Sequence, residues 1–203
     1  MTGERAVKSN EEYYDEFAAW YENKRHDGYH AVIDDLEFDL LREYARDADV
    51  LEVGCGTGLI LEKAAEVASR AVGVDISDGM LEQARERGLE VAQADASESL
   101  PFEDESFDLV YSFKVLAHIE DIDAALQEMA RVTRRGGYLL LEFYNPWSLR
   151  YLAKRVGGPQ RISKQTRESA VYTRWDSAID LSRRLPENLE VLDFAGGRIF
   201  TPA

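Results

Sequence analysis

Three glycines alternate in Gly54-Cys55-Gly56-Thr57-Gly58, directly after the apolar run Val50-Leu51-Glu52-Val53 and before the helical pattern of Leu59 to Ala68. Glycines at this spacing let the backbone turn tightly and let a ligand come close where a Cβ would collide. The helix after the turn points free N–H groups at whatever sits there. Asp75 ends the next strand-like run, 21 positions after Gly54. A carboxylate there can accept both hydroxyls of a ribose. Asp95 follows the third such run and can meet the far end of an adenosine. His118, just past the fourth run, is placed to act as a base, and its imidazole titrates in the range that work needs. His26 and His30 precede the sheet and read as exposed. Cys55 reads as a small turn residue, not a nucleophile. Three histidines and one cysteine show no metal-ligand spacing, so no metal is expected.

These residues need elements to hold them. Short apolar runs at 50–53, 71–75, 89–93, 107–112 and 138–143 read as strands. Helical patterns lie between them, at 59–68, 77–87 (with Ser77 or Asp78 as cap) and 122–133, and Arg135-Gly136-Gly137 reads as the turn into the fifth strand. Strands alternating with helices imply βαβ units and a parallel sheet covered on both faces. The polar residues above then gather at the carboxyl edge, where such sheets bind ligands. Upstream, Tyr13, Tyr14, Phe17, Trp20 and Tyr21 share one helical face. A second amphipathic helix is expected from about Ala31 to Arg46, packing through Val32, Ile33, Leu36, Leu40, Leu41 and Tyr44.

The chain has 203 residues and a net charge of −15, a size that fits one domain. The expected division is an N-terminal helical cap over 1–47, a binding core over 48–147 and an acceptor-side region with the last strands over 148–203. At 45% hydrophobic it can bury a full core. No apolar run reaches a membrane span's length, and the first residues lack the apolar centre of a signal peptide. With one cysteine, the expected compartment is the reducing cytoplasm. The acidic balance disfavours nucleic acid. Against it, Ser148 to Arg174 carries seven basic residues and one acid, Glu168. Within it Leu149, Leu152 and Val156 share a helical face with Arg150, Lys154 and Arg155 around it. Such a segment can lie on anionic lipid or receive a hydrophobic or anionic small molecule.

A P-loop is absent, and the dinucleotide fingerprint fails because Leu59 stands where its third glycine belongs. The sequence resembles instead the class I S-adenosylmethionine-dependent methyltransferases, especially the small-molecule branch that includes quinone-ring methyltransferases. The resemblance rests on five ordered motifs: Val50–Gly58, Val72-Gly73-Val74-Asp75-Ile76-Ser77, Gln93-Ala94-Asp95-Ala96, Leu100-Pro101-Phe102 with Ser106–Ser112, and Arg131–Gly137. It implies a Rossmann-like three-layer α/β sandwich with a mostly parallel sheet under an N-terminal helical cap. It implies S-adenosylmethionine as cofactor and a small-molecule acceptor. By the same resemblance Gly54, Gly56, Thr57 and Gly58 surround the methionine part, Asp75 takes the ribose, Asp95 and Ala96 flank the adenine, and Ser112 lies beside the sulfonium. Ile76 and Met80 can pack on the adenine. The cap can act as a lid, with Tyr14 and Tyr21 as contacts and Arg25 pairing with the cofactor carboxylate. Relatives finish with a sixth strand, here Glu190–Phe194, and an antiparallel seventh, here Arg198–Thr201. Two rivals are a nicotinamide-dependent oxidoreductase, which Leu59 counts against, and a binding module that has lost transfer.

Overall fold

A computed structural model describes residues 11, 14, 15, 29–148, 151 and 172–194. Five strands carry the fold: β1 (Asp49–Val53), β2 (Arg70–Asp75), β3 (Glu90–Gln93), β4 (Phe107–Ser112) and β5 (Thr133–Leu141). They pair in parallel in the order β3-β2-β1-β4-β5. The helices are α1 (Tyr29–Ala45), α2 (Leu59–Ala65), α3 (Asp78–Glu86), α4 (Ile122–Val132) and α5 (Ala178–Arg184). Successive strand residues point to opposite faces, so each strand feeds two cores. Leu51, Val53, Val72, Val74 and Val110 pack under Leu126 and Met129 of α4. Val50, Leu109 and Tyr111 pack against Leu41 of α1 and Ile60 and Ala64 of α2. The result is the expected three-layer arrangement, and β1, β2 and β4 are buried on both sides. The chain winds outward from β1 to β3, then returns to β4 beside β1. That reversal opens a crevice at the carboxyl ends of β1 and β4.

Ser77 caps α3, its oxygen accepting from Met80 N–H at 3.1 Å. Asp121 caps α4 in the same way through Ala124 N–H. Four boundaries or faces differ from the sequence reading. First, β5 starts at Thr133, so Arg135-Gly136-Gly137 lies inside the strand rather than before it. The register jumps there, from Phe107 opposite Thr133 to Leu109 opposite Tyr138. Gly136, at φ +79°, absorbs the extra residues as a bulge. Second, α1 is rotated. Ile33, Leu41 and Ala45 are buried, together with Asp34 and Glu37, while Val32, Leu36, Leu40 and Tyr44 are exposed. The cause is a cation below the helix, Lys114, whose ammonium bonds both acids.

Third, α2 ends at Ala65 rather than Ala68. Fourth, Glu190–Phe194 is no strand. Leu192 and Phe194 are exposed, and a cleft of about 960 Å³ separates the segment from β5. Among the described residues that segment has no ladder partner, so it is not part of the sheet. The expected seventh strand, Arg198–Thr201, lies outside the described residues.

Candidate functional site

The turn after β1 is tied to β2 by its backbone. Gly54 and Cys55 N–H both donate to Val74 O, at 2.7 and 2.9 Å. Gly56 N–H donates to Asp75 Oδ2 at 2.8 Å, and Ser77 N–H to Asp75 Oδ1 at 3.0 Å. One carboxylate thus fixes two strand ends in relation to each other. Gly54 has φ +78°, and a Cβ there would lie 2.3 Å from Val115 Cγ2. The loop after β4 therefore sits directly on the glycine turn. Gly56, at φ +54°, has among the described residues no atom other than its chain neighbours' within 4 Å of where its Cβ would be. No described side chain packs there. Beside it, Thr57 is 1% exposed, and its hydroxyl is the one buried side-chain polar atom without a partner among the described residues. A buried unsatisfied hydroxyl is costly unless something else completes it.

Burial raises the Asp75 carboxyl above its usual range, against three backbone N–H groups that lower it, and Asp15 adds a smaller upward push. Burial likewise holds the Cys55 thiol far above its ordinary value, with Glu52 adding to it. That makes Cys55 a protonated turn residue, as its sequence context suggests. Asp95 folds back on Ser97, accepting from its N–H at 2.8 Å and its hydroxyl at 2.6 Å. Ala96 and Met80 are buried and Ile76 is half-buried. Ser112 is fully buried, and its hydroxyl donates to Val53 O at 2.7 Å, locking β4 to β1 at the crevice. Asp75 thus joins the glycine turn to the end of β2, and Ser112 joins the end of β4 to that of β1, so these residues lie at the carboxyl ends of three neighbouring strands.

Three described N-terminal residues contact these strand ends and the loops after them. Asp15 accepts from Ser77 Oγ at 2.5 Å and from Gly79 N–H at 3.1 Å, at the start of α3. Glu11 meets the Gln93 amide at 3.4 Å, and Tyr14 stands edge-on to the His118 ring, 6.4 Å between centroids. Asp15 and Glu11 were not singled out from sequence; their four-residue, one-turn spacing around Tyr14 was the available signal. Tyr21 and Arg25 lie outside the described residues.

The sequence reading also missed Tyr172–Asp176, which belongs to neither a helix nor a strand. Arg174 N–H donates to Ala117 O at 2.7 Å and Asp176 N–H to Tyr144 O at 2.9 Å. The His118 Nδ1 lies 2.8 Å from Tyr172 O. Arg174 chelates Asp176 at 2.7 and 2.9 Å, both side chains nearly buried. This strap fastens the end of β5 to the loop after β4. It brings Trp175 against Tyr144 (5.4 Å) and Tyr151 (5.1 Å), while Tyr144 meets His118 edge-on at 5.9 Å. No regular pattern marks the strap, because it is held by backbone bonds to distant elements.

Residues 51–141 match the family described as a methyltransferase domain. The chain is 33% identical over 152 residues to a demethylmenaquinone methyltransferase of Corynebacterium urealyticum, covering 68% of this chain and 66% of that protein. It is 30% identical over 146 residues to an uncharacterised protein of Methanocaldococcus jannaschii, covering 71% of this chain and 55% of that one. The chain therefore spans between about half and two thirds of the length of these relatives. Among solved structures, a magnesium protoporphyrin IX methyltransferase from Synechocystis PCC 6803 with bound S-adenosylhomocysteine superposes with a TM-score of 0.67. The two share 20% identity, and the match covers 93% of this chain and 94% of that one.

Proposed function

The chain belongs to the class I S-adenosylmethionine-dependent methyltransferase superfamily, and from that premise we propose an enzyme that moves a methyl group to a small-molecule acceptor. The supporting observation is that, among the described residues, nothing packs over Gly56 and the buried Thr57 hydroxyl next to it has no partner, with Asp75 bonded to the same turn. A ligand with a polar tail and a diol fits that set. S-adenosylmethionine supplies a methyl group already activated on its sulfonium. Gly54, Gly56, Thr57 and Gly58 hold its methionine part, and Asp75 accepts from the ribose hydroxyls. Asp95, Ala96, Ile76 and Met80 surround the adenine. Ser112 helps define the wall near the sulfonium by holding β4 to β1. With an electrophile that arrives activated, this chain's work is to align the acceptor and exclude water. The acceptor's class follows the relatives' printed activities on small molecules.

The N-terminal segment is the lid. Asp15 fastens it to α3 and Tyr14 closes over the acceptor side; Tyr21 and Arg25, outside the described residues, are the further cofactor contacts this reading expects. Calorimetry with S-adenosylhomocysteine tests the cofactor assignment directly. Micromolar binding with no response to NAD is the expected result, and the reverse removes the reading. Turnover with labelled S-adenosylmethionine separates an enzyme from a silent binding module. Hydrogen exchange at Glu11 to Asp15 slows on S-adenosylhomocysteine binding if the segment is a lid.

The basic stretch 148–174, most of it outside the described residues, supports peripheral contact with an anionic membrane near the acceptor entrance. Wild type then co-sediments with anionic vesicles, and changing Arg150, Lys154 and Arg155 together to Gln lowers that association. The cytoplasm is the compartment this reading assumes. Among the described residues no helix is long and apolar enough to cross a membrane.

A further inference from the structure

Lys114 follows β4 by one residue, with its backbone left-handed at φ +64°. Glycine takes that conformation without strain, whereas a lysine keeps it only where its surroundings fix it. Two sets of contacts do so. Glu142, whose own N–H donates to Ser112 O at 3.0 Å, accepts from Lys114 N–H at 2.8 Å. The Lys114 ammonium donates to Asp34 Oδ1 at 2.7 Å and to Glu37. Both acids lie in the first half of α1 and are buried, and both take part in further interactions as well. The next residue, Val115, is laid on the glycine turn: a Cβ on Gly54 would lie 2.6 Å from its Cγ1 and 2.3 Å from its Cγ2. The first half of α1, the loop after β4 and the glycine turn are therefore joined in series through two adjacent residues.

The two halves of α1 are held differently. Leu41 and Ala45 of the second half pack with Ile60 and Ala64 of α2. In the first half Val32 and Leu36 are exposed. Asp35 there pairs with Lys63 of α2 at 2.5 Å, but with Asp35 69% exposed, where an ion pair contributes little. Cutting a buried pair is the larger loss. We infer that Lys114 is a positioning residue of the cofactor site, coupling the first half of α1 to the glycine turn. This rests on the methyltransferase reading above. A cofactor seated on the turn steadies Val115, Val115 steadies the Lys114 backbone, and the ammonium steadies Asp34 and Glu37. The segment that carries Glu11, Tyr14 and Asp15 leads into this half of α1, so its base is tied to the same turn. Such coupling is reciprocal: what orders the turn orders the helix start, and loosening the helix start weakens the site.

The test is hydrogen exchange on the full chain, free and saturated with S-adenosylhomocysteine. In wild type, exchange at Asp34 to Phe38 slows about fivefold or more on binding. Lys114→Arg, which keeps a cation, preserves that slowing. Lys114→Gly, which suits the backbone but removes the ammonium, abolishes it and weakens S-adenosylhomocysteine about fivefold or more in calorimetry. Amides of Leu41 to Ala45, held by α2, respond to ligand alike in all three. A purely structural ion pair gives another pattern. Lys114→Gly then speeds exchange in the free and the bound protein equally and leaves the ligand-dependent difference in place, which overturns the proposal. Val115→Ala keeps the ion pairs and trims the two methyl groups from the turn, so it tests the link even where Lys114→Gly does not fold. Slowing at Asp34 to Phe38 that persists in Val115→Ala overturns the proposal. So does its loss in Asp35→Asn, which routes the coupling through α2, or its absence from wild type with ligand bound. Failure of wild type to bind S-adenosylhomocysteine removes the methyltransferase reading instead.

Discussion

Asp75 shows how one side chain serves both fold and ligand. Its carboxylate is already bonded to Gly56 and Ser77 N–H, so the loop is formed before any ligand arrives. Each oxygen still has a lone pair for a ribose hydroxyl. Asp75→Ala removes a charged acceptor, and S-adenosylhomocysteine binding should weaken by about 1.5–3 kcal/mol in calorimetry. Affinity within twofold of wild type would contradict the assignment. The pH dependence has a definite sign. Burial raises this carboxyl, so the free folded protein binds the proton more tightly than the unfolded chain does. Its contribution to stability is therefore present below the unfolded value and is lost as pH rises through the folded one. Ligand binding needs the ionised form. Affinity should accordingly fall by up to tenfold per pH unit once the solution is more acidic than the raised value. Asp75→Asn, with no charge to lose, should show a flat profile at lower affinity. Asp75 was identifiable from its place at the end of the second apolar run. The Thr57 hydroxyl's missing partner was not, since satisfaction is a property of the surroundings.

Rotation of α1 is decided at the element scale. Its apolar residues alone favour burying Val32, Leu36, Leu40 and Tyr44. Instead Asp34 and Glu37 face inward at 4% and 7% exposure, because Lys114 lies beneath them. Lys114 Nζ donates to Asp34 Oδ1 at 2.7 Å and also to Glu37, while its N–H bonds Glu142 at 2.8 Å. The backbone of Lys114 is left-handed, φ +64°, at a position that favours glycine. Two buried carboxylates and one ammonium outweigh four apolar side chains, because leaving an acid buried without a cation is the costlier choice. Lys114→Met should lower stability in urea titration by about 3–5 kcal/mol, a large share of what a domain usually has. A loss under 1 kcal/mol would mean that the pair does not set the helix's rotation. Replacing Asp34 and Glu37 by Leu in the same variant should recover most of the loss. The exposed row on α1 continues onto Tyr138 of β5, whose ring lies 4.7 Å from that of Tyr44. None of this follows from periodicity within one helix, since the deciding residue is 80 positions away.

At the scale of the molecule, a net charge of −15 makes like-charge repulsion part of the balance. Salt shortens the Debye length from about 10 Å at 0.1 M to about 3 Å at 1 M. The melting temperature should rise over that range of KCl, and an unchanged or lower value would show that the ion pairs lost to screening matter more. Arg131, which bonds Glu128, Asp104, Leu100 O and Phe102 O, is among those pairs. What the sequence determined by itself was the sheet and its loaded edge. Apolar runs such as Leu109–Tyr111, and Val50–Val53 broken only by Glu52, need cover on both faces, and a parallel sheet is what gives it. The glycine turn and Asp75 were fixed by spacing, because both sit at ends of neighbouring strands. Tertiary structure decided whatever depends on partners distant in sequence. It turned α1 about its axis, placed the Arg135–Gly137 bulge inside β5, and left Glu190–Phe194 across a cleft rather than in the sheet. It also drew Tyr172–Asp176 back to His118 through single hydrogen bonds, which leave no period in a sequence because each is made once, between residues that only the finished fold brings together.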